Sequence, residues 1–116
     1  MKLALLTDQE ILAIANPMMD NLMAGSTAIN HAQHTRDFTE RAKAIVTPEH
    51  LAYVCKNYQA TWGFFSHREF VAIFRRPDSI AIIWKQFCTL QVGEFVAEIV
   101  LVEQDGRYLI DHAMVF

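Results

Sequence analysis

The apolar positions of this chain fall into two regimes that meet at Gly63. Upstream, Ile11, Leu12, Ala15, Met18, Met19 and Leu22 recur at helical spacing. They predict a helix from residue 7 or 8 to about 23, kinked or broken at Pro17, because proline lacks the N–H that a helix interior uses. Phe38, Ala42 and Ile45 mark one face of a second helix over residues 27–46. A third, over 48–62, opens on the cap-then-proline pair Thr47-Pro48 and aligns Leu51, Val54, Cys55 and Tyr58.

Downstream the period drops to two. Residues 67–75, 80–89, 94–104 and 107–116 are rich in β-branched and aromatic types with short connections, and Asp105-Gly106 is a hairpin turn signal. Three N-terminal helices followed by a four-stranded antiparallel meander make an α+β domain, with the helices on the concave face of a curved sheet. The whole chain, 1–116, reads as one such domain.

Turn geometry sets the expected pairing. A two-residue turn at Asp105-Gly106 joins Gln104 to Arg107, Leu101 to Ile110, Ile99 to His112 and Ala97 to Met114. A turn at Gln91-Val92 sets Trp84 opposite Ile99 and Lys85 opposite Glu98, and a loop at Pro77-Asp78 sets Ile73 opposite Ile82 and Val71 opposite Trp84. The inner face then holds Val71, Ile73, Ile80, Ile82, Trp84, Phe95, Ile99, Leu101, Tyr108, Ile110, Met114 and Phe116, with Glu69, Gln86 and His112 as its polar members. The outer face holds Lys85, Glu98, Arg107 and Asp111 but also Ile83, Phe87, Val96, Val100, Val102, Leu109 and Val115. That is too apolar for a face left to solvent. A second copy of the same sheet is the simplest cover, so a homodimer through Ile83, Lys85, Phe87, Val96, Glu98, Val100 and Leu109 is expected.

Composition narrows the function classes. Ten Lys and Arg against thirteen Asp and Glu give a net charge of −3, which argues against a nucleic-acid partner. No apolar run approaches the roughly 20 residues of a membrane span. Lys2 is followed by only four apolar residues before Thr7, too few for a leader, so the expected location is cytoplasmic. Cys55 and Cys88 have no metal-ligand spacing and read as free thiols. Neither a glycine-rich phosphate loop, a nucleophile elbow nor a Cys-x-x-Cys pair occurs, and no cofactor or metal is expected.

Candidate chemistry gathers on the inner face. His112 among apolar neighbours, with Glu69 beside it, could serve as an acid–base pair, although a hydrogen-bonded core histidine and a salt-bridged edge carboxylate are the simpler account of the two. Trp84, Gln86 and His112 on the sheet, with Tyr58, Trp62 and His34 on the helices, are the candidate lining of a small-ligand pocket. His31 and His34 lie three residues apart on one helical side. Arg68, Arg75, Arg76 and Lys56 are a loose anion patch at most.

Trp62-Gly63-Phe64-Phe65, Arg68-Glu69-Phe70 and the run from Glu98 through Gly106-Arg107-Tyr108 carry a resemblance. The chain resembles the nuclear transport factor two and ketosteroid isomerase superfamily of cystatin-like α+β cones, and is most similar to small bacterial members. The resemblance implies a helix-lined concave pocket and dimerisation through the convex face. It transfers no mechanism: the isomerases use an Asp base and a Tyr-Asp oxyanion pair inside the cone, and the expected inner face here has no Asp. The expectation is a non-enzymatic homodimeric module that binds a small apolar ligand or is purely structural. The alternatives are an isomerase- or dehydratase-type enzyme using His112 and Glu69, and a protein-binding adaptor using the outer face.

Overall fold

Thr7 starts the longest helix. Its hydroxyl accepts from the Glu10 N–H at 3.2 Å while the Glu10 carboxylate accepts from the Thr7 N–H at 3.0 Å, closing a capping box. In the computed structural model, which describes residues 2–116, helix α1 (Asp8–Ala28) runs unbroken through Pro17. An interior proline costs about 3 kcal/mol. Burial of Ile11, Ala15, Met19, Leu22 and Met23 along one stripe offsets it.

The single second helix expected from periodicity is two short ones, α2 (His31–His34) and α3 (Glu40–Ile45). Asn30 and Thr39 each accept a main-chain N–H three residues on and so start a new helix. Between them the main chain pairs with the sheet instead: Ile110 N–H donates to the Asp37 carbonyl and Thr39 N–H donates to the Ile110 carbonyl. Helix α4 (Pro48–Thr61) is capped by Thr47 as the sequence suggests. Among the described residues no helix is long and apolar enough to cross a membrane.

The sheet is antiparallel in the order β1 (Phe65–Arg75), β2 (Ile80–Cys88), β3 (Phe95–Gln104), β4 (Arg107–Val115). Asp105 and Gly106 both take positive φ, 52° and 75°, the backbone of a type I′ hairpin turn. Gln104–Arg107, Leu101–Ile110 and Ile73–Ile82 pair as expected. The β2–β3 register is displaced by two residues, so Trp84 faces Ala97 and Lys85 faces Val96. An even displacement leaves the faces unchanged, because side chains alternate with period two. It does separate Lys85 from Glu98; Lys85 meets Glu94 instead, at 3.4 Å.

Bulges change the faces. Val71 is extra between Phe70–Trp84 and Ala72–Ile83, and Asp111 is extra between Leu101–Ile110 and Val100–His112. Beyond each bulge the inward and outward sets exchange. His112, Met114 and Phe116 leave the inner set, while Ala113 and Val115 join the core. At the first strand, Val71 is exposed, Glu69 turns outward and Arg68 turns in. A third irregularity, between Phe65 and Arg68, frees carbonyls that the buried Gln86 amide takes up: its Nε2 donates to Ser66, His67 and Phe87 at 3.3, 3.2 and 2.8 Å.

One core fills the space between α1 and the sheet, built on Ile11, Met19, Ile82, Trp84, Ile99, Leu101 and Ile110. A smaller cluster of Leu51, Cys55 and Tyr58 lines α4.

Candidate functional site

Between these clusters lies a cavity of about 520 Å³, walled by α1 (Met19, Leu22, Ser26), α2 (His34), Phe38, the inner sides of α3 and α4, Trp62, Phe65 and the stretch Asp111–Phe116. That volume falls within the roughly 300–1,000 Å³ of small-molecule sites. Aromatic rings stiffen one wall: Tyr58 stacks on Phe65 with centroids 4.8 Å apart, and Trp62 leans on Phe95 at 4.5 Å. Ile45, Val54, Met114 and Phe116 are exposed apolar side chains of the same lining.

Few polar groups enter this wall. Ser26 Oγ sits 2.8 Å from the Tyr58 hydroxyl and 3.3 Å from Cys55 Sγ, so the three satisfy one another. Burial pushes the Tyr58 phenol above its ordinary pKa. His34 Nδ1 lies 2.8 Å from the Leu22 carbonyl, and burial lowers the pKa of its ring. The contact depends on Gly25, which lies inside α1: a Cβ there would come within 2.4 Å of the His34 main-chain nitrogen, so only glycine lets α2 close on α1.

The Asp111 bulge ties the sheet to α3. Arg41 Nε donates to Asp111 Oδ1 at 3.1 Å, Arg41 Nη2 lies 2.9 Å from Oδ2, and Thr39 Oγ1 donates to Oδ1 at 2.8 Å. The Arg41 hydrogen bond is the main cause that holds the Asp111 carboxyl below its ordinary pKa. Outside the bulge a second hollow of about 440 Å³ is lined by Arg41, Arg76, Asp78, Ser79, Glu98, Val100, Val102, Asp111 and His112.

Of the residues singled out from the sequence, Tyr58, Trp62 and His34 line the cavity. His112 belongs to its wall as well, but its Nε2 is 3.1 Å from Glu98 Oε2 on the outer face. The acid–base pair of His112 and Glu69 does not form: the two residues sit on strands at opposite edges of the sheet, and Glu69 meets His67 at 3.1 Å. Trp84 and Gln86 are 2% and 0% exposed and belong to the core rather than the cavity. Trp84 lies under the Arg68 guanidinium, 5.1 Å from its centroid, and Arg68 reaches Asp20 of α1 at 2.7 Å. Arg75 likewise binds Asp8 and the Leu6 carbonyl, each at 2.8 Å. These arginines clamp α1 to the sheet and form no anion patch. His31 Nε2 lies 2.7 Å from the Val46 carbonyl. Cys55 and Cys88 are free. Ser26, Cys55 and the Arg41–Asp111 pair escaped the sequence reasoning; the signal for the last was Asp111 itself, a charge interrupting the strand after Ile110.

No protein-family model matches the sequence, and neither does any curated protein. Among solved structures the chain is similar to a Thiobacillus denitrificans protein described as a calcium/calmodulin-dependent protein kinase type II association domain. The identity is 13% and the TM-score 0.61, over 84% of this chain and 90% of that one. It is also similar to Bdellovibrio bacteriovorus Bd1075, with 10% identity and a TM-score of 0.54 over 95% of this chain, which spans only 42% of that protein. Together with the observed order of helices and strands, this likeness makes the fold a nuclear transport factor two-like cone.

Proposed function

We propose that this chain is a ligand-holding cone: a module that takes one small, largely apolar molecule into the cavity under α4 and works as a pair through its outer sheet face. The observation that carries the reading is the cavity itself, about 520 Å³ between two packed clusters, with aromatic and aliphatic walls and few polar groups. A domain this size gains stability by filling such space. Keeping it open makes sense for an occupant. Catalysis has less support, because the one acid–base pair the sequence offered is dispersed.

Trp62 in the wall provides the assay. Titrating a neutral fluorescent apolar probe such as N-phenyl-1-naphthylamine should give saturable energy transfer from tryptophan, and Leu51→Trp, which takes up part of the space, should weaken it. Absence of saturable uptake by the folded protein would end this reading.

Pairing draws on a separate observation. Ile83, Phe87, Val96, Val100 and Leu109 all lie on the outer face and remain partly exposed in the single chain. The fold neighbour described as an association domain is consistent with pairing. Light scattering should give twice the chain mass for the native protein and the single mass for Val100→Arg. A native protein that is monomeric at every concentration would remove the pair and leave the cavity reading intact.

A further inference from the structure

Granting that the cavity holds a ligand, its polar inventory narrows what that ligand is. A main-chain carbonyl can only accept, so His34 Nδ1 at 2.8 Å from the Leu22 oxygen must carry the proton. A neutral ring then presents Nε2 as a bare lone pair, and no group among the described residues donates to it. The ring is held in place by an edge contact to Phe38, with centroids 5.4 Å apart at 62°, and by the close approach at Gly25. Of the other polar members of the wall, the Trp62 indole N–H is a neutral donor with no hydrogen-bond partner among the described residues, and the rest are engaged or open to water. Ser26, Tyr58 and Cys55 bond among themselves, Arg41 and Asp111 neutralise each other, and His112 is held by Glu98. His50, also part of the wall, is exposed to water. An ionic ligand would lose hydration and find no unmatched counter-charge inside. A neutral donor would find one fixed acceptor.

We infer that the occupant is a neutral, ring-sized apolar molecule bearing one hydroxyl or N–H, seated with that donor on His34 Nε2. The apolar body makes the bulk of the contact with Leu22, Phe38, Leu51 and Tyr58, and the single hydrogen bond sets its orientation.

Three matched probes test this on the native protein: 2-naphthol, 2-methoxynaphthalene, which cannot donate, and 2-naphthoate, which is anionic. Fluorescence or calorimetric titration should show the naphthol binding about five-fold tighter than the ether, the increment of one ordinary hydrogen bond, and the naphthoate weakest. In His34→Leu the ether should bind as before while the naphthol loses its advantage. The 15N resonance of His34 Nε2 should shift on adding naphthol and stay put with the ether. Equal affinities for naphthol and ether overturn the donor assignment and leave the cavity reading standing. A preference for the naphthoate overturns the neutral class. If none of the three binds, the cavity reading and this inference fall together.

Discussion

The two ends of the cone use the same sheet differently. Under α1 the space is solid: Ile11, Met19, Ile82, Trp84 and Ile99 interdigitate, and Arg68 and Arg75 fasten the helix to β1. Under α4 only Leu51, Cys55 and Tyr58 form a buried cluster, and the gap between it and the sheet is the cavity. Both ends have apolar walls, so hydrophobicity alone does not distinguish them. The distinction is contact. A side chain in the solid end touches neighbours all round, whereas one on the hollow wall faces empty space on one side and loses dispersion contacts there. Stability is thus concentrated at one end and room at the other.

Deleting equal volume at the two ends should therefore cost unequal amounts. Ile82→Ala in the solid end should lose about 4 kcal/mol in denaturant unfolding, and Leu51→Ala on the hollow wall about 2 kcal/mol. Equal losses would mean that the cavity collapses around Leu51 in solution.

Adding volume should show the reverse asymmetry. Ala97 and Ala113 both face inward on neighbouring strands, but Ala97 is fully buried in the solid core while Ala113 lines the cavity. Ala97→Phe should cost about 3 kcal/mol through overpacking. Ala113→Phe should change stability by less than about 1 kcal/mol, since the ring enters free space, and should displace any cavity ligand. Thermal unfolding with and without the apolar probe measures both.

What the sequence revealed follows the same division. Elements that announce themselves by local chemistry were legible: the Thr7 and Thr47 caps, the Asp105-Gly106 turn, and the period-two strands. The solid core was largely legible too, because Ile80, Ile82, Trp84, Ile99, Leu101 and Ile110 keep a strict alternation, and the two-residue register error between β2 and β3 does not disturb it. The cavity end was not. Its faces are set by one extra residue at Asp111, whose trace in the sequence is just the polar pair Asp111-His112 after Ile110, yet it exchanges every side chain that follows. That slip, with its counterpart at Val71, is why His112 and Glu69 looked like inward neighbours. The second helix misled for another reason: residues 35–39 are diverted by hydrogen bonds to Ile110, a partner more than seventy residues away.

The Asp111 bulge can be probed directly. Asp111→Ala removes the carboxylate that Arg41 and Thr39 hold. The pair is partly exposed, so the loss should be about 1 kcal/mol or less. The useful readout is local: faster amide exchange at α3 with the solid core unchanged. Uniform loosening of both ends would show that the two are one cooperative unit.

The smallest effect should come from His34, and its sign is fixed by burial. Desolvation lowers the ring's pKa below the ordinary 6.5; the Leu22 carbonyl opposes this, and the nearby His31 adds to it slightly. Between the ordinary value and the lowered one, the unfolded chain binds a proton that the folded chain does not. The stabilisation is therefore present above pH 6.5 and is lost as the pH falls through the lowered value. Protonating the ring would also convert Nε2 from acceptor to donor, so the naphthol advantage should fade over the same acid range while the ether's affinity stays flat. In His34→Leu the naphthol's acid-side loss should vanish and the stability slope just below pH 6.5 should shrink; Asp111, the other wall group with a lowered pKa, is held below the ordinary carboxylate value by Arg41. A native protein whose stability holds steady from pH 7 to 5 would show that His34 is open to water, and the hollow end would then be a cleft rather than a sheltered cavity.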